Sequence, residues 1–337
     1  MRQGLIAALL MEVIPDRSPQ IKRTGPLAVV ALGLGFLLAF PPTTRATFPG
    51  KNGVIAFVMQ RDECLHPEAD ECNSGEPQLL SVRADGSERR RLATGFGPAF
   101  SHDGRWLAFD RCHCSDFLEA SSTVFTWRFG TRTPPSRLLE RGGETGNLHA
   151  AWSPNGARLT FARARNPVDR LTAFPSTIYS AASDGSDVRR LASGYSPDWS
   201  STDRIALVRY GRRGFDVYVM RPDGSRVRRV GRGSAPSWSP DGHLIAFERR
   251  GSGPNGIYVA RPDGSRLRRL TTGNDFEPAW SPNGRLVAFV RASSGGTAFR
   301  LMTVRSDGGH AKAIVRSRQL QLIDAPSWRP LAPTGTP

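Results

Sequence analysis

The chain has 337 residues, of which 39% are hydrophobic, and its 46 Lys and Arg against 30 Asp and Glu give a net charge of +16. This hydrophobic content is sufficient for a packed core and excludes a disordered tail protein. The 35 Gly and 26 Pro recur beside Asp, Asn and Ser, which favours short strands and tight turns and excludes a protein of long helices.

Residues 1–46 have the pattern of a secretory signal peptide. Lys22 and Arg23 precede an apolar segment at 27–40, and Pro41-Pro42 and Thr44-Arg45-Ala46 follow, with the small residue Ala46 at the expected cleavage site. The apolar segment is shorter than the roughly 20 residues that span a bilayer, so a cleaved signal is favoured and an uncleaved anchor is the alternative. We therefore expect an exported protein, periplasmic or extracellular, whose mature domain is 47–337.

Export limits the partners that the excess of positive charge can indicate. Export removes the chain from the chromosome, so we expect no nucleic-acid partner. Weak electrostatic contact with anionic polymers or lipid headgroups is compatible with this charge.

One sequence pattern recurs six times after the signal. Its clearest copies, residues 235–247 and 277–289, contain Pro-x-Trp-Ser-Pro, then Asp or Asn, then Gly and an apolar strand. The aromatic anchors of the six copies are Phe100, Trp152, Trp199, Trp238, Trp280 and Trp328. A period of about 40–50 residues with four short strands per repeat is typical of propeller blades. The prediction is an all-β, six-bladed β-propeller of four-stranded antiparallel blades, with each anchor packed between neighbouring blades.

Turn residues divide each repeat into hairpins. In the repeat anchored by Trp238, Pro240 and Gly242 predict the turn between the first and second strands, and Asp263-Gly264 predicts the turn between the third and fourth. Equivalent Asp-Gly pairs begin at 85, 184, 223 and 307, whereas the repeat anchored by Phe100 has Gly130–Pro135 instead.

The two ends of the repeat region complement one another. Residues 52–58 match a second strand with no Trp strand before it, and residues 325–329 match a Trp strand with no second strand after it. Because isolated blades cannot bury both faces, the repeats must stack into a ring. The C-terminal strand is predicted to complete the first blade and close that ring.

The Trp-Ser-Pro-Asp-Gly and Ile-Tyr-Val-x-x-Pro-Asp-Gly-Ser patterns resemble the WD-like repeats of TolB-type β-propellers, over residues 49–330. The resemblance implies an extracytoplasmic protein that binds other proteins through one face of the propeller. On this basis we expect a non-catalytic interaction module, a monomer, with an envelope protein or peptide as its partner.

Length variation concentrates on one predicted face, which carries the connections between second and third strands and those between blades. Long loops on a rigid scaffold are common binding surfaces. At the centre of this face we expect the residues that open each inner strand: Gly97, His149, Ser196, Ala235, Glu277 and Ala325. His149 and Glu277 could converge with Asn147, Asn274 and Asp275 on a polar mouth that binds a peptide or polar ligand; a water-filled rim is the alternative.

An enzyme acting on acidic oligosaccharides, as lyase or hydrolase, is the alternative function. Related propellers resemble lyases whose metal is held by several funnel histidines, but of the six His only His149 stands at an inner-strand start. No G-x-S-x-G, P-loop or H-E-x-x-H motif occurs, so we predict no catalytic residue and no metal at the mouth.

Four cysteines cluster in two predicted loops on the long-loop side, at Cys64, Cys72, Cys112 and Cys114. In an oxidising compartment they favour two disulfides, either within each loop or between the loops. The other interpretation adds His66 and His113 and makes a zinc site, although the spacing matches no standard zinc pattern. We expect no other cofactor.

Arginines also accumulate on or beside the predicted outermost strands, as in Arg89-Arg90-Arg91, Arg189-Arg190, Arg228-Arg229 and Arg268-Arg269. Long charged side chains protect strand edges from edge-to-edge pairing, which is the favoured interpretation. The alternative is a basic girdle that attracts anionic polymers or headgroups.

Overall fold

The structure of the protein is a computed structural model. It describes residues 48–61, 75–113, 121–139, 145–165, 176–212, 214–251, 253–317 and 321–331. These residues form six sheets of four antiparallel strands each, and they contain no helix. The predicted signal peptide at 1–46 lies outside the described residues, so it stays a prediction.

The strands follow chain order from the inner to the outer position in five of the blades. Their bounds are β4 (Phe96–Phe100), β5 (Trp106–His113), β6 (Ser121–Arg128) and β7 (Ser136–Arg137) in blade 2; β8 (Thr145–Trp152), β9 (Arg158–Arg165), β10 (Ser176–Ala182) and β11 (Arg189–Ser193) in blade 3; β12 (Tyr195–Trp199), β13 (Ile205–Gly211), β14 (Gly214–Met220) and β15 (Arg228–Arg232) in blade 4; β16 (Ser234–Trp238), β17 (Ile245–Arg249), β18 (Gly256–Ala260) and β19 (Arg268–Arg269) in blade 5; and β20 (Asp275–Trp280), β21 (Leu286–Ala292), β22 (Phe299–Arg305) and β23 (Lys312–Arg316) in blade 6.

Blade 1 is assembled from both ends of the repeat region. It comprises β1 (Lys51–Arg61), β2 (Gln78–Val82), β3 (Arg90–Thr94) and, as its inner strand, β24 (Gln321–Leu331). In the antiparallel register Ile55 faces Trp328 and Ala56 faces Ser327. The predicted closure of the ring by the C-terminal strand is confirmed.

The anchor side chains fill the spaces between blades, as predicted. Phe100, Trp152, Trp199, Trp238, Trp280 and Trp328 are all buried. The indole N–H of Trp328 donates to the Ala279 carbonyl of the preceding blade at 3.1 Å, and that of Trp152 donates to the Ala99 carbonyl at 3.1 Å. These two bonds add a directional contact between neighbouring blades to the apolar packing of the anchors.

The Asp-Gly turns rest directly on the neighbouring blade. Gly185 has a φ of 89°, and a Cβ there would stand 2.1 Å from the Leu138 carbonyl oxygen of blade 2. Gly130, in the divergent turn of blade 2, has nothing within 4 Å of the same position. Glycine is therefore required where a turn touches the preceding blade, and blade 2 departs from the pattern where that contact is missing.

Loop length differs sharply between the two faces of the ring. Connections between first and second strands contain five or six residues, and those between third and fourth strands six or seven. Connections between second and third strands range from two residues in blade 4 (212–213) to 16 in blade 1 (62–77). We call the face that carries these variable connections, together with those between blades, the long-loop face.

Candidate functional site

Each inner strand carries one residue in the left-handed backbone region. These residues are Gly97, His149, Ser196, Ala235, Glu277 and Ala325, with φ between 49° and 58°. They are the six expected to open the strands, but each lies inside its strand, where the register with the second strand shifts. They are β-bulges, which redirect the backbone locally. A non-glycine residue in this region costs about 1–2 kcal/mol, so the packed ring must impose the conformation.

Two bulges are held by a carboxylate from the preceding blade. The His149 N–H in blade 3 donates to Asp110 Oδ2 in blade 2 at 2.8 Å. The Glu277 N–H in blade 6 donates to Glu248 Oε2 in blade 5 at 3.0 Å. Both carboxylates are buried, and they stand in blades on opposite sides of the ring. Sequence reasoning missed Asp110 and Glu248, which stand directly after the aromatic residue of the second strand, where the other repeats have Val or Ala.

The five predicted mouth residues fall into two groups on opposite sides of the ring. Asn147 and His149 belong to β8 in blade 3; Asp275 and Glu277 belong to β20 in blade 6, and Asn274 immediately precedes β20. All except Asn274 are buried, with exposed fractions of 0% to 6%. The structure therefore presents them as interior groups of two opposed blades rather than as side chains of an open rim.

The interior polar groups have specific partners. Asp275 holds Arg291 through two hydrogen bonds, 2.5 Å to Nε and 2.7 Å to Nη2. Asn147 accepts from Arg163 Nε at 2.8 Å, and its Nδ2 meets no hydrogen-bond partner within the described part of the chain. The Asn274 carbonyl accepts from the Ala292 N–H at 3.0 Å. These contacts join inner strands to second strands, so they give the site residues a role in holding the blades.

Arg163 and Arg291 belong to a larger set that the sequence analysis did not identify. An arginine stands near the end of the second strand in five blades, two residues after Phe or Leu; these are Arg111, Arg163, Arg209, Arg249 and Arg291, which we call the arginine ring. All five are partly buried and lie towards the long-loop face. In blade 1 the position is Met59, whose sulfur accepts from Arg89 Nη2 at 2.9 Å. The signal was available in the sequence as a fixed spacing within the repeat.

The guanidinium groups of the ring are held by stacking and by their Nε atoms. Arg249 lies 4.6 Å from the Tyr258 ring centroid and donates through Nε to the Arg232 carbonyl at 2.8 Å. Arg111 lies 4.7 Å from the Phe125 centroid and donates through Nε to the Thr94 carbonyl at 3.1 Å. Arg209 repeats this with Tyr218 and the Ser193 carbonyl. Such contacts restrict the rotamers of an otherwise flexible side chain.

Charge compensation differs within the ring. The pKa of Arg291 is raised above its usual value by its hydrogen bonds with Asp275. Burial lowers the pKa of Arg111 and of Arg249. No ion pair between the described residues involves Arg111, Arg163, Arg209 or Arg249, and the Asp216 carboxylate, opposite Arg209 in the sheet, pairs with Arg229 at 2.7 Å. Arg291 is therefore the one member of the ring that forms an ion pair with a carboxylate of the described residues.

The predicted disulfides and the alternative zinc site involve residues that lie largely outside the described part of the chain. Cys64, Cys72 and Cys114 lie outside the described residues, as does His66, and only the backbone of Cys112 and His113 is described, within β5. Within the described ranges no three His, Cys, Asp or Glu side chains lie close enough together to hold a metal ion. No helix in the described part of the chain is long and apolar enough to cross a membrane.

The architecture defines the class of protein as a six-bladed β-propeller built from WD-like repeats. Residues 178–330 match the family of the TolB beta propeller domain, and the chain is a TolB-like six-bladed propeller. No curated protein matches the sequence.

Solved structures share the fold at low sequence identity. TolB from Acinetobacter baumannii is 18% identical with a TM-score of 0.66, over 82% of this chain and 67% of that one. A chain of a nidogen/laminin complex is 11% identical with a TM-score of 0.59, over 83% of this chain and all of that one. Hydrazine synthase from Kuenenia stuttgartiensis is 12% identical with a TM-score of 0.60, over 94% of this chain and 51% of that one. At these identities the likeness concerns the fold alone.

Proposed function

We propose that this protein is an exported, non-catalytic interaction module that binds a protein or another envelope component through its long-loop face. The observation that carries the proposal is the contrast between the two faces. One face carries short connections of nearly constant length. The other face carries the connections between second and third strands, whose lengths vary from two to 16 residues. Variable loops on a rigid scaffold supply recognition without altering the fold.

The interior polar residues support a binding role over a catalytic one. Asp110, Glu248 and Asp275 are buried and engaged by backbone N–H groups or by an arginine, which is the environment of structural carboxylates. The resemblance to TolB-type propellers adds an extracytoplasmic location and protein partners as expectations. A structurally similar chain occurs in a nidogen/laminin complex, so this fold is compatible with protein assembly.

Affinity capture with two matched surface variants tests the proposal. Tyr210, 57% exposed at the end of β13, and exposed Thr272 between blades 5 and 6 lie on the long-loop face. Exposed Val227 and Leu267 follow the turns between third and fourth strands on the other face. We expect the purified protein to retain a partner from envelope extract, Tyr210→Ala/Thr272→Glu to lose it, and Val227→Ala/Leu267→Ala to keep it.

The other outcomes are equally informative. Loss only in the Val227/Leu267 variant would move the binding site to the short-turn face. No retained partner, or turnover of acidic oligosaccharides by the purified protein, would contradict the non-catalytic interaction role. Circular dichroism and thermal melting of each variant verify that the fold is retained.

A further inference from the structure

The arginine ring places five cations at one repeated position, and Arg291 alone among them forms an ion pair with a carboxylate of the described residues. We propose that the ring binds an acidic peptide segment of a protein partner, through pairs between its guanidinium groups and the Asp or Glu carboxylates of that segment. This inference rests on the proposed function, because it uses the same face and specifies the chemistry of the partner.

Arg291 shows what a carboxylate does at this position. The Asp275 carboxylate binds its guanidinium through two hydrogen bonds of 2.5 and 2.7 Å. The other four members occupy the same place in their blades without a described carboxylate. In Arg111, Arg209 and Arg249 the Nε is already committed to a backbone carbonyl, which leaves the two Nη groups to a ligand. A carboxylate from a partner would reproduce at these sites the pairing that blade 6 makes internally.

The ring is also prepared for binding before any ligand arrives. Stacking on Phe125, Tyr179, Tyr218 and Tyr258 holds four guanidinium groups at 4.6 to 5.1 Å from a ring centroid. A side chain that is already ordered loses less rotamer entropy when it pairs. Because these guanidinium groups are partly desolvated, they have lost some of their hydrogen bonds to water. A carboxylate of the ligand would replace those hydrogen bonds with charge-assisted ones.

The surroundings favour a peptide over other polyanions. All five arginines are partly buried, so a flexible chain segment reaches them more readily than a flat bilayer surface does. The faces of Phe109, Phe161 and Phe247 are buried and covered by arginine, which leaves them unavailable for stacking against sugars or bases. Tyr210 is exposed beside Arg209, and Tyr with Arg is a composition enriched at the centres of protein interfaces.

Fluorescence anisotropy with a defined probe tests this inference. The probe is a fluorescein-labelled peptide of alternating Glu and Ser, and its control replaces every Glu by Gln. We expect the wild-type chain to bind the Glu peptide at least tenfold more tightly than the Gln peptide, and to lose affinity as salt is raised. The variant Arg111→Gln/Arg249→Gln should weaken binding of the Glu peptide at least tenfold. Arg190→Gln/Arg228→Gln, on the outer strands β11 and β15, removes the same charge and should change it less than twofold.

Each alternative outcome has a defined meaning. Equal binding of the two peptides, or equal losses in the two paired variants, overturns the inference. If Arg111→Gln/Arg249→Gln does not fold, Arg111→Lys/Arg249→Lys keeps the charge without the planar fork and should give an intermediate loss; an unchanged affinity then overturns it. Tighter binding of oligogalacturonate or anionic vesicles at the ring would assign it to those ligands. A partner that Tyr210→Ala/Thr272→Glu loses, with no affinity for the Glu peptide, overturns this inference and leaves the proposed function standing.

Discussion

The Asp110 carboxylate in blade 2 accepts a 2.8 Å hydrogen bond from the backbone N–H of His149 in blade 3, across a sequence separation of 39 residues. The pair joins a second strand to the inner strand of the following blade, at the residue where that strand bulges. A side chain of one blade therefore supports the backbone conformation of the next. The polar residues near the ring axis contribute to the assembly of blades in this way.

Asp110→Ala should lower the free energy of unfolding by about 1–3 kcal/mol, because the buried N–H of His149 loses its acceptor. Asp110→Asn keeps an acceptor oxygen and should have a smaller effect. Urea denaturation followed by circular dichroism measures both. An alanine variant as stable as the wild type would show that this hydrogen bond does not stabilise the blade contact.

Replacing Ala235 by glycine should leave the protein as stable as the wild type or stabilise it by up to about 1 kcal/mol, because its φ of 49° is costly for a residue with a Cβ. Ala246→Gly, in β17 and equally buried, should destabilise by about 1 kcal/mol or more, since glycine has no compensating advantage in an ordinary strand. Thermal melting of the two variants gives the comparison. Equal destabilisation would contradict a strained bulge at Ala235.

Stability should fall in acid because of the carboxylates in the turns between third and fourth strands. Asp184 accepts from the Ser186 hydroxyl at 2.6 Å and from its N–H at 2.9 Å, and these bonds lower the pKa of Asp184 below 3.8. A pKa that is lower in the folded state stabilises the fold above the unfolded value. This contribution is lost as the pH falls through the folded value. Melting temperatures between pH 6 and pH 2.5 should therefore decline only below about pH 4.

The serine of the turn can be tested separately. Ser186→Ala should raise the pKa of Asp184 towards 3.8, because the hydroxyl makes the largest contribution to the lowering. The turn at Asp307 has Gly309 in place of serine, and its lowered pKa depends on the Gly309 N–H, so it serves as an internal control that should not move. Carboxyl titration by NMR reports each site. An unchanged Asp184 pKa in the variant would contradict the role of the hydroxyl.

Deleting residues 325–337 should abolish the cooperative unfolding transition. The deletion removes buried Trp328, worth about 3–5 kcal/mol, and most of the inner strand of blade 1, against a typical total of about 5–15 kcal/mol. Deleting only residues 332–337, beyond β24, is the matched control and should preserve the transition. A melting curve unchanged by the longer deletion would show that the ring does not depend on its closure.

The blade architecture could be predicted because its causes are local and repeated. Trp238 with Pro240 and Gly242 specifies a strand and its turn within five residues, and five further copies set the number of blades. The closure of the ring could be predicted because residues 52–58 lack an inner strand and residues 325–329 lack a second strand. These signals require no knowledge of contacts between distant residues.

The candidate site was harder to predict because its contacts cross between strands and blades. Of the six bulge residues, Gly97 is the only glycine, the residue type that indicates a left-handed backbone. Ala235 and Glu277 give no such indication in the sequence. Nothing local distinguishes Asp275, which is paired with Arg291, from a carboxylate free to bind a ligand. The arginine ring could have been found from its constant spacing after Phe or Leu, but adjacent arginine pairs on the outer strands are more conspicuous in the sequence.

The pairing of β1 with β24 also sets the order of events during synthesis. Ile55 pairs with Trp328, which lies about 270 residues later in the chain. At about 5–20 residues per second, synthesis of the intervening residues takes on the order of tens of seconds. Throughout that interval one edge of β1 lacks its partner, while later blades can already form their local hairpins. Blade 1 can therefore be completed only after β24 has been made, whereas each of the other five blades has all four of its strands earlier in the chain.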